Sequence, residues 1–182
     1  NWVPVEDQLS VFLELVPTVR SIGFVHRKDE LNSTIQFHQL EQVATDLGIE
    51  VVEIAPQTVA ELNQSLLQAS GSITSLYSAC DTLVQSGGEE IVIAFARGNK
   101  LPSFTCNKSG VLKGDLVGTV TDFAEIGRLA GEKAALIIQG ATPQSLETNT
   151  VARPFIYVNQ TTARALKITI PQTLFTRIKE VV

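Results

Sequence analysis

The strongest constraint on this chain is an alternation. Short apolar segments at residues 21–25, 49–54, 73–77 and 101–105 are separated by longer stretches whose apolar residues recur at helical spacing. A strand, a crossover helix and a second strand lie parallel in one sheet, and successive units of this kind cover both sheet faces with helices. The fold class is therefore α/β: a parallel sheet with helices on both faces, and Gly23, Val25, Val52, Ile54, Ile73 and Leu76 buried between the layers.

The intervening stretches carry their own start and stop signals. Val5, Leu9, Phe12, Leu13 and Val16 form one face of a first helix, with Pro4, Glu6 and Asp7 suited to its N-terminal turn and Pro17 beyond its end. Phe37, Leu40, Val43, Ala44 and Leu47 form a second, stopped by Gly48. Thr58 and Glu61 make a capping box for a third, whose face is Val59, Leu62, Leu66 and Ala69. The segment 89–97 contains Ile91-Val92-Ile93-Ala94-Phe95, β-branched enough for a strand. The lack of turn residues within it, the Gly98-Asn99 stop and the need for a crossover between parallel strands assign it to a helix. Gly87-Gly88 predicts a kink or late start there.

Beyond residue 101 the pattern changes. A strand at 101–105, a polar turn at 106–109, one helical turn at 110–113 closed by Gly114 and a strand at 116–120 lead to Asp122, which with Glu125 reads as a capping box. The helix that follows carries Phe123, Ile126, Gly127, Ala130, Ala134 and Ile137 on one face, and residues 141–150 read as a surface loop. A sixth strand at 155–158, a short helix capped by Asn159, an extended piece at 168–170 broken by Pro171 and a last amphipathic helix with Leu174, Ile178 and Val181 complete the chain.

In parallel α/β sheets ligands lie beyond the carboxyl ends of the strands. The loops at that end, 26–33, 78–82, 105–109 and 119–122, hold Asn32, Ser33, Ser78, Asp81, Thr82, Asn107 and Asp122, short donors and acceptors suited to a small polar or zwitterionic ligand. Asp122, Asp81 and Ser33 are equally placed to cap helices, and His26 reads as a solvated loop residue. The sequence contains no phosphate-binding glycine motif, no nucleophile elbow and no zinc-like spacing of its two cysteines and two histidines, so no catalytic residue, metal or cofactor is assigned. Cys80 and Cys106 should lie close together at the ends of adjacent strands, and are read as free thiols. With a net charge of -5 and no basic stripe, nucleic acid is not an expected partner. No run of eighteen apolar residues offers a membrane span.

The stretch LPSFTCNKSGVLKGDLVGTVTDFAEIG resembles the strand, loop, strand and crossover helix of the substrate-binding proteins of ABC transporters, in the group that includes tryptophan- and tyrosine-binding members. VPVEDQLSVFLELVPTVRSIGFVHRKDELNS, DLGIEVVEIAP and VNQTTARALKITIPQTL resemble that group's entry helix with first strand, its second strand and its closing segment. The resemblance covers essentially all 182 residues. It implies one lobe of a type I periplasmic-binding-like fold and a non-catalytic protein outside the cytoplasm, periplasmic or lipid-anchored, that holds a small molecule such as an amino acid at an interlobe cleft and presents it to a membrane permease. It implies residues 1–120 as an α/β lobe, 121–151 as a crossover helix and loop of the second lobe entered through a hinge at 118–121, and 152–182 as the return. A half-lobe would precede Asn1, in keeping with a chain that contains no Met and whose first residues lack a signal peptide's pattern. A helix without its own lobe exposes apolar surface that a homodimer would cover. Two other classes stay open: the ligand-sensing domain of a lactose-repressor-type regulator, and an α/β enzyme.

Overall fold

The computed structural model describes residues 3–149 and 154–182. The expected boundary at 151/152, the last residue of the 141–150 loop and the reading of Asn1-Trp2 lie outside them. The elements run α1 (Val5–Leu15), β1 (Ser21–Val25), α2 (Leu31–Asp46), β2 (Glu50–Ile54), α3 (Val59–Ala69), β3 (Ser75–Ser78), α4 (Glu89–Asn99), β4 (Ser103–Thr105), α5 (Lys108–Lys113), β5 (Val117–Val120), α6 (Phe123–Ile138), β6 (Phe155–Val158), α7 (Gln160–Ala165), α8 (Gln172–Phe175) and β7 (Ile178–Val181). The seven strands form one sheet in the order β2-β1-β3-β4-β5-β6-β7. Strands β1 to β5 are parallel neighbours, whereas β6 runs antiparallel to β5, with Val120 opposite Phe155.

Helices cover both faces. On one, α1 and α2 bury Leu9, Phe12 and Leu40 against Phe24, Tyr77 and Phe104. The aromatic rings form a chain, with centroids 4.4 Å apart for Phe12 and Phe104, 4.3 Å for Tyr77 and Phe104, and 5.0 Å for Phe24 and Tyr77, spacings at which ring pairs add to their area burial. On the other face, Leu62 and Leu66 of α3 and Val92 and Phe95 of α4 pack on Val25, Ile54 and Leu76. The Glu61 carboxylate accepts from the backbone N–H groups of Gln57 and Thr58, as its place in the third helix start requires. Residues 89–97 are helical, and the kink before them is real: Gly87 has φ 112°, a conformation that glycine adopts without a Cβ penalty.

Several expectations are corrected. Val52 is only half-buried, because β2 is the outer strand, with no neighbour beyond it among the described residues. Ile178 and Val181 belong to a strand, parallel to β6, and not to a closing helix. Four residues cannot distinguish a period of 2 from one of 3.6, and the unpaired edge of β6 decides the matter. His26 is fully buried, stacked on Phe37 with ring centroids 5.5 Å apart and with Nε2 3.1 Å from Glu53 Oε1, and burial lowers its pKa. Glu125 does not complete a capping box; it pairs with Arg128 at 2.6 Å, leaving Asp122 to cap α6 alone. Among the described residues, no helix is long and apolar enough to cross a membrane.

Candidate functional site

A cleft of ≈ 670 Å³ opens at the carboxyl ends of the strands. Of the seven residues singled out in the sequence, Asn32, Asn107 and Asp122 line it. Asn32 stands in the first turn of α2 and donates from Nδ2 to the Cys80 carbonyl oxygen at 3.3 Å. Asn107 caps α5: its Oδ1 accepts from Gly110 N–H at 2.7 Å, and its Nδ2 donates to Glu89 Oε1 at 3.0 Å. Asp122 caps α6, its Oδ1 accepting from the N–H groups of Ala124 and Glu125 at 3.0 and 3.1 Å.

The other four do not line the cleft; three of them hold its walls. Ser33 is buried and donates to the Arg27 carbonyl oxygen at 2.8 Å. Asp81 is buried and accepts from the backbone N–H groups of Arg27 at 2.5 Å and Val84 at 3.0 Å. Thr82 donates its N–H to Glu30 Oε1 at 3.1 Å and its hydroxyl to the same carboxylate. Asp81 and Thr82 thereby brace the loop after β1 against the loop after β3. Ser78, the last residue of β3, is fully buried, with a hydroxyl that has no partner among the described residues.

The sequence reading missed the helix and strand faces that complete the cleft. Gln36 lies one turn beyond Asn32 on α2, and its buried Oε1 has no partner among the described residues; the i,i+4 spacing could have pointed to it. Gln8 of α1 is held in place by Tyr77, whose hydroxyl donates to Gln8 Oε1 at 2.7 Å, while Gln8 Nε2 donates to the Val3 carbonyl oxygen at 2.9 Å. Phe155 and Tyr157, two apart on β6, supply an aromatic wall, and Lys108 Nζ lies 4.8 Å from the Tyr157 ring centroid while pairing with Glu180 at 2.5 Å. That pairing raises the Lys108 pKa.

Cys80 and Cys106 also line the cleft, and they are joined as a disulfide with Cα atoms 6.0 Å apart. The expected proximity holds, but the expected free thiols do not. Ser78 and Thr105 are register partners on adjacent parallel strands, which brings the residues just beyond them within bridging distance.

Behind α5 lies a polar cluster. Glu89, at the start of α4, accepts from Asn107 and from the Ser109 hydroxyl at 3.1 Å, and pairs with Lys113 at 2.8 Å. Asp115 is wholly buried beside it with no well-formed hydrogen bond to either carboxyl oxygen, and burial pushes its pKa up to about 7, the Ser103 hydroxyl offsetting part of this. Gly118 allows α5 to come close: a Cβ there would stand 2.6 Å from Val111 Cγ2 and 3.0 Å from the Asn107 carbonyl oxygen. A second cavity, of ≈ 490 Å³ and lined by Arg97, Lys100, Lys113 and Thr162, lies toward the opposite end of the sheet, where β4 begins.

An open α/β sheet, mostly parallel, with a cleft of amides, hydroxyls, a carboxylate and aromatic rings at its carboxyl edge, has the architecture of a periplasmic-binding-like lobe, its cleft at the edge where such sheets receive ligands. The profile of the ABC transporter substrate binding protein family matches residues 1–182, and the chain belongs to that family, a class of binding proteins rather than enzymes. A tyrosine-binding protein from Clostridioides difficile is 30% identical over 166 residues, 91% of this chain and 48% of the relative. The crystal structure of a conserved domain protein from Vibrio cholerae superimposes with a TM-score of 0.86 at 27% identity, covering 100% of this chain and 61% of that one. An ABC domain from Streptococcus pneumonia in complex with L-Trp shares the fold with a TM-score of 0.84 at 23% identity, covering 98% of this chain and 62% of that one. The chain thus spans about half the length of the curated relative it matches.

Proposed function

We propose that this chain forms most of one lobe of a two-lobed receptor that captures an amino acid outside the cytoplasm and presents it to the membrane permease of an ABC importer. The observation that carries the reading is α6. It leaves the sheet at the rim of the cleft, capped by the cleft residue Asp122, and none of its described residues is buried; Phe123 and Ile138 are 62% and 86% exposed. A helix with that much apolar surface needs a partner, and its start beside the cleft makes the second lobe that partner. In this division residues 1–120 and 152–182 build one lobe, 121–151 belong to the other, and 118–121 are the hinge. Alone, the chain covers the same face by pairing with a second copy.

Asp122 offers an acceptor for an ammonium group, Asn32, Asn107 and Gln36 offer amides for a carboxylate, and Phe155 and Tyr157 offer a surface for an apolar side chain. That set agrees with the amino acids named for the relatives, and family membership favours it over a repressor-type sensor. The Cys80–Cys106 bridge is in keeping with an oxidising compartment outside the cytoplasm.

Calorimetry with tyrosine, tryptophan, a branched-chain amino acid and a sugar tests the reading on this chain and on the longer protein that contains it. The longer protein should bind one of the amino acids, and this chain should bind it far more weakly, because a half-site leaves one face of the solute in water. Equal affinity for both rules out the two-lobed clamp.

A further inference from the structure

The disulfide stands where a ligand would feel it. The chain leaves β3 after Ser78 and β4 after Thr105, and Cys80 and Cys106 join these two exits at the cleft wall. Strand pairing ends just before this region: β4 stops at Thr105, paired with β3 and β5, and α5, of six residues, begins only at Lys108. Each half of the bridge serves a cleft asparagine. The Cys80 carbonyl oxygen accepts from Asn32 Nδ2, and Asn107 follows Cys106 directly and caps α5. A carboxamide has two N–H donors and two oxygen lone pairs. Asn32 and Asn107 each use one N–H within the protein, leaving the other for a ligand.

We propose that the Cys80–Cys106 bridge is a positioning element of the ligand site, which binds its solute tightly only while the bridge is oxidised. The proposal rests on the solute-binding reading above. Opening by a dithiol is a balanced two-electron exchange: the sulfur–sulfur bond breaks, each cysteine sulfur takes up a proton, and the dithiol is oxidised to its own cyclic disulfide. Once the bridge opens, the carbonyl that holds Asn32 and the loop that carries Asn107 are no longer tied together. The cost of ordering them then falls on the binding step.

The test is calorimetry of tyrosine and tryptophan with the longer protein in four forms: oxidised, reduced with dithiothreitol, reoxidised, and as the Cys80→Ser/Cys106→Ser variant. All are measured at a temperature where circular dichroism shows them folded, with hydrogen exchange of residues 106–114 followed in parallel. Reduction should raise Kd roughly tenfold and speed exchange in that loop, reoxidation should restore both, and the double variant should match the reduced form. If the variant does not fold, the reversible cycle of the unaltered protein still decides. Equal Kd values in the oxidised and reduced forms, or a loss that reoxidation does not restore, overturn the proposal. If neither these two nor the branched-chain amino acid and sugar of the preceding test bind in any form while exchange still responds to reduction, the solute-binding reading has failed, and the bridge is a stabiliser only.

Discussion

Asp115 and Glu89 meet beneath Gly110: a Cβ at that glycine would lie 2.5 Å from Asp115 Oδ2 and 3.0 Å from Glu89 Oε1. Two carboxyl groups therefore share one small space under the helix whose cap faces the cleft. Glu89 is matched by Lys113, Asn107 and Ser109, whereas Asp115 is not matched in this way.

That asymmetry gives stability a pH dependence. The pKa of Asp115 rises from 3.8 to about 7 on folding, so the folded state holds its proton more tightly than the unfolded chain does. Its contribution is fully present below about pH 4 and is lost as pH rises through about 7. At about 1.4 kcal/mol per unit, the loss reaches about 4 kcal/mol as an upper bound. Asp115→Asn should remove this slope and be the more stable protein above pH 7, as urea unfolding at pH 5 and pH 8 would show. His26, whose pKa is lowered by burial, titrates in both proteins and cancels in the difference.

Gly110→Ala should destabilise by about 1–3 kcal/mol, the usual cost of overpacking, because the new methyl group meets the wholly buried Asp115 carboxyl group with Glu89 and Thr105 close beside it. Asp115→Ala in the same chain should recover part of the loss. Chemical denaturation of the two single variants and the double variant forms the cycle that measures it.

Gly118→Ala presses on α5 from the sheet side, against Val111 and the Asn107 carbonyl. It should cost about 1–3 kcal/mol of stability and shift Asn107 in the cleft, weakening solute binding by the longer protein. Thermal unfolding and calorimetry read the two effects separately, and unchanged affinity would remove Asn107 from the site.

Tyr77→Phe deletes a fully buried hydroxyl and leaves Gln8 Oε1 without its donor, a loss of about 1–3 kcal/mol. Gln8 also lines the cleft, so the variant should bind solute more weakly than its stability loss alone accounts for.

Reduction of Cys80–Cys106, which are 26 residues apart, should lower stability by about 3.5 kcal/mol on the chain-entropy estimate, seen as a lower urea midpoint with dithiothreitol present.

The parallel sheet was legible because each crossover helix announced itself by an apolar face and a stop, even through the β-branched run 91–95. β7 was not legible, since four residues carry no period and only the open edge of β6 gives Ile178 and Val181 a place. Asn32, Asn107 and Asp122 could be read from strand-end loops, and Gln36 by its i,i+4 spacing from Asn32, but Gln8 comes from a helix face that only packing turns toward the cleft. Cap residues carry the same ambiguity in any sequence: Asp81 looks like a ligand contact, yet both its oxygens are committed to backbone N–H groups. The bridge was half legible, because strand order brings the cysteines together but only Cβ directions decide whether they bond.

The chain that departs the sheet at Val120 comes back at Phe155, its direct partner across the antiparallel pair β5 and β6. The two feet of the excursion thus stand one interstrand spacing apart, roughly 5 Å. A body fastened at two adjacent points has a single easy axis, as a page has at its binding. Torsion in the residues next to Val120 and Phe155 would turn such a body about the line through them without breaking the β5–β6 pairing. In the two-lobed reading proposed above, that line would be the axis on which this excursion turns toward the cleft.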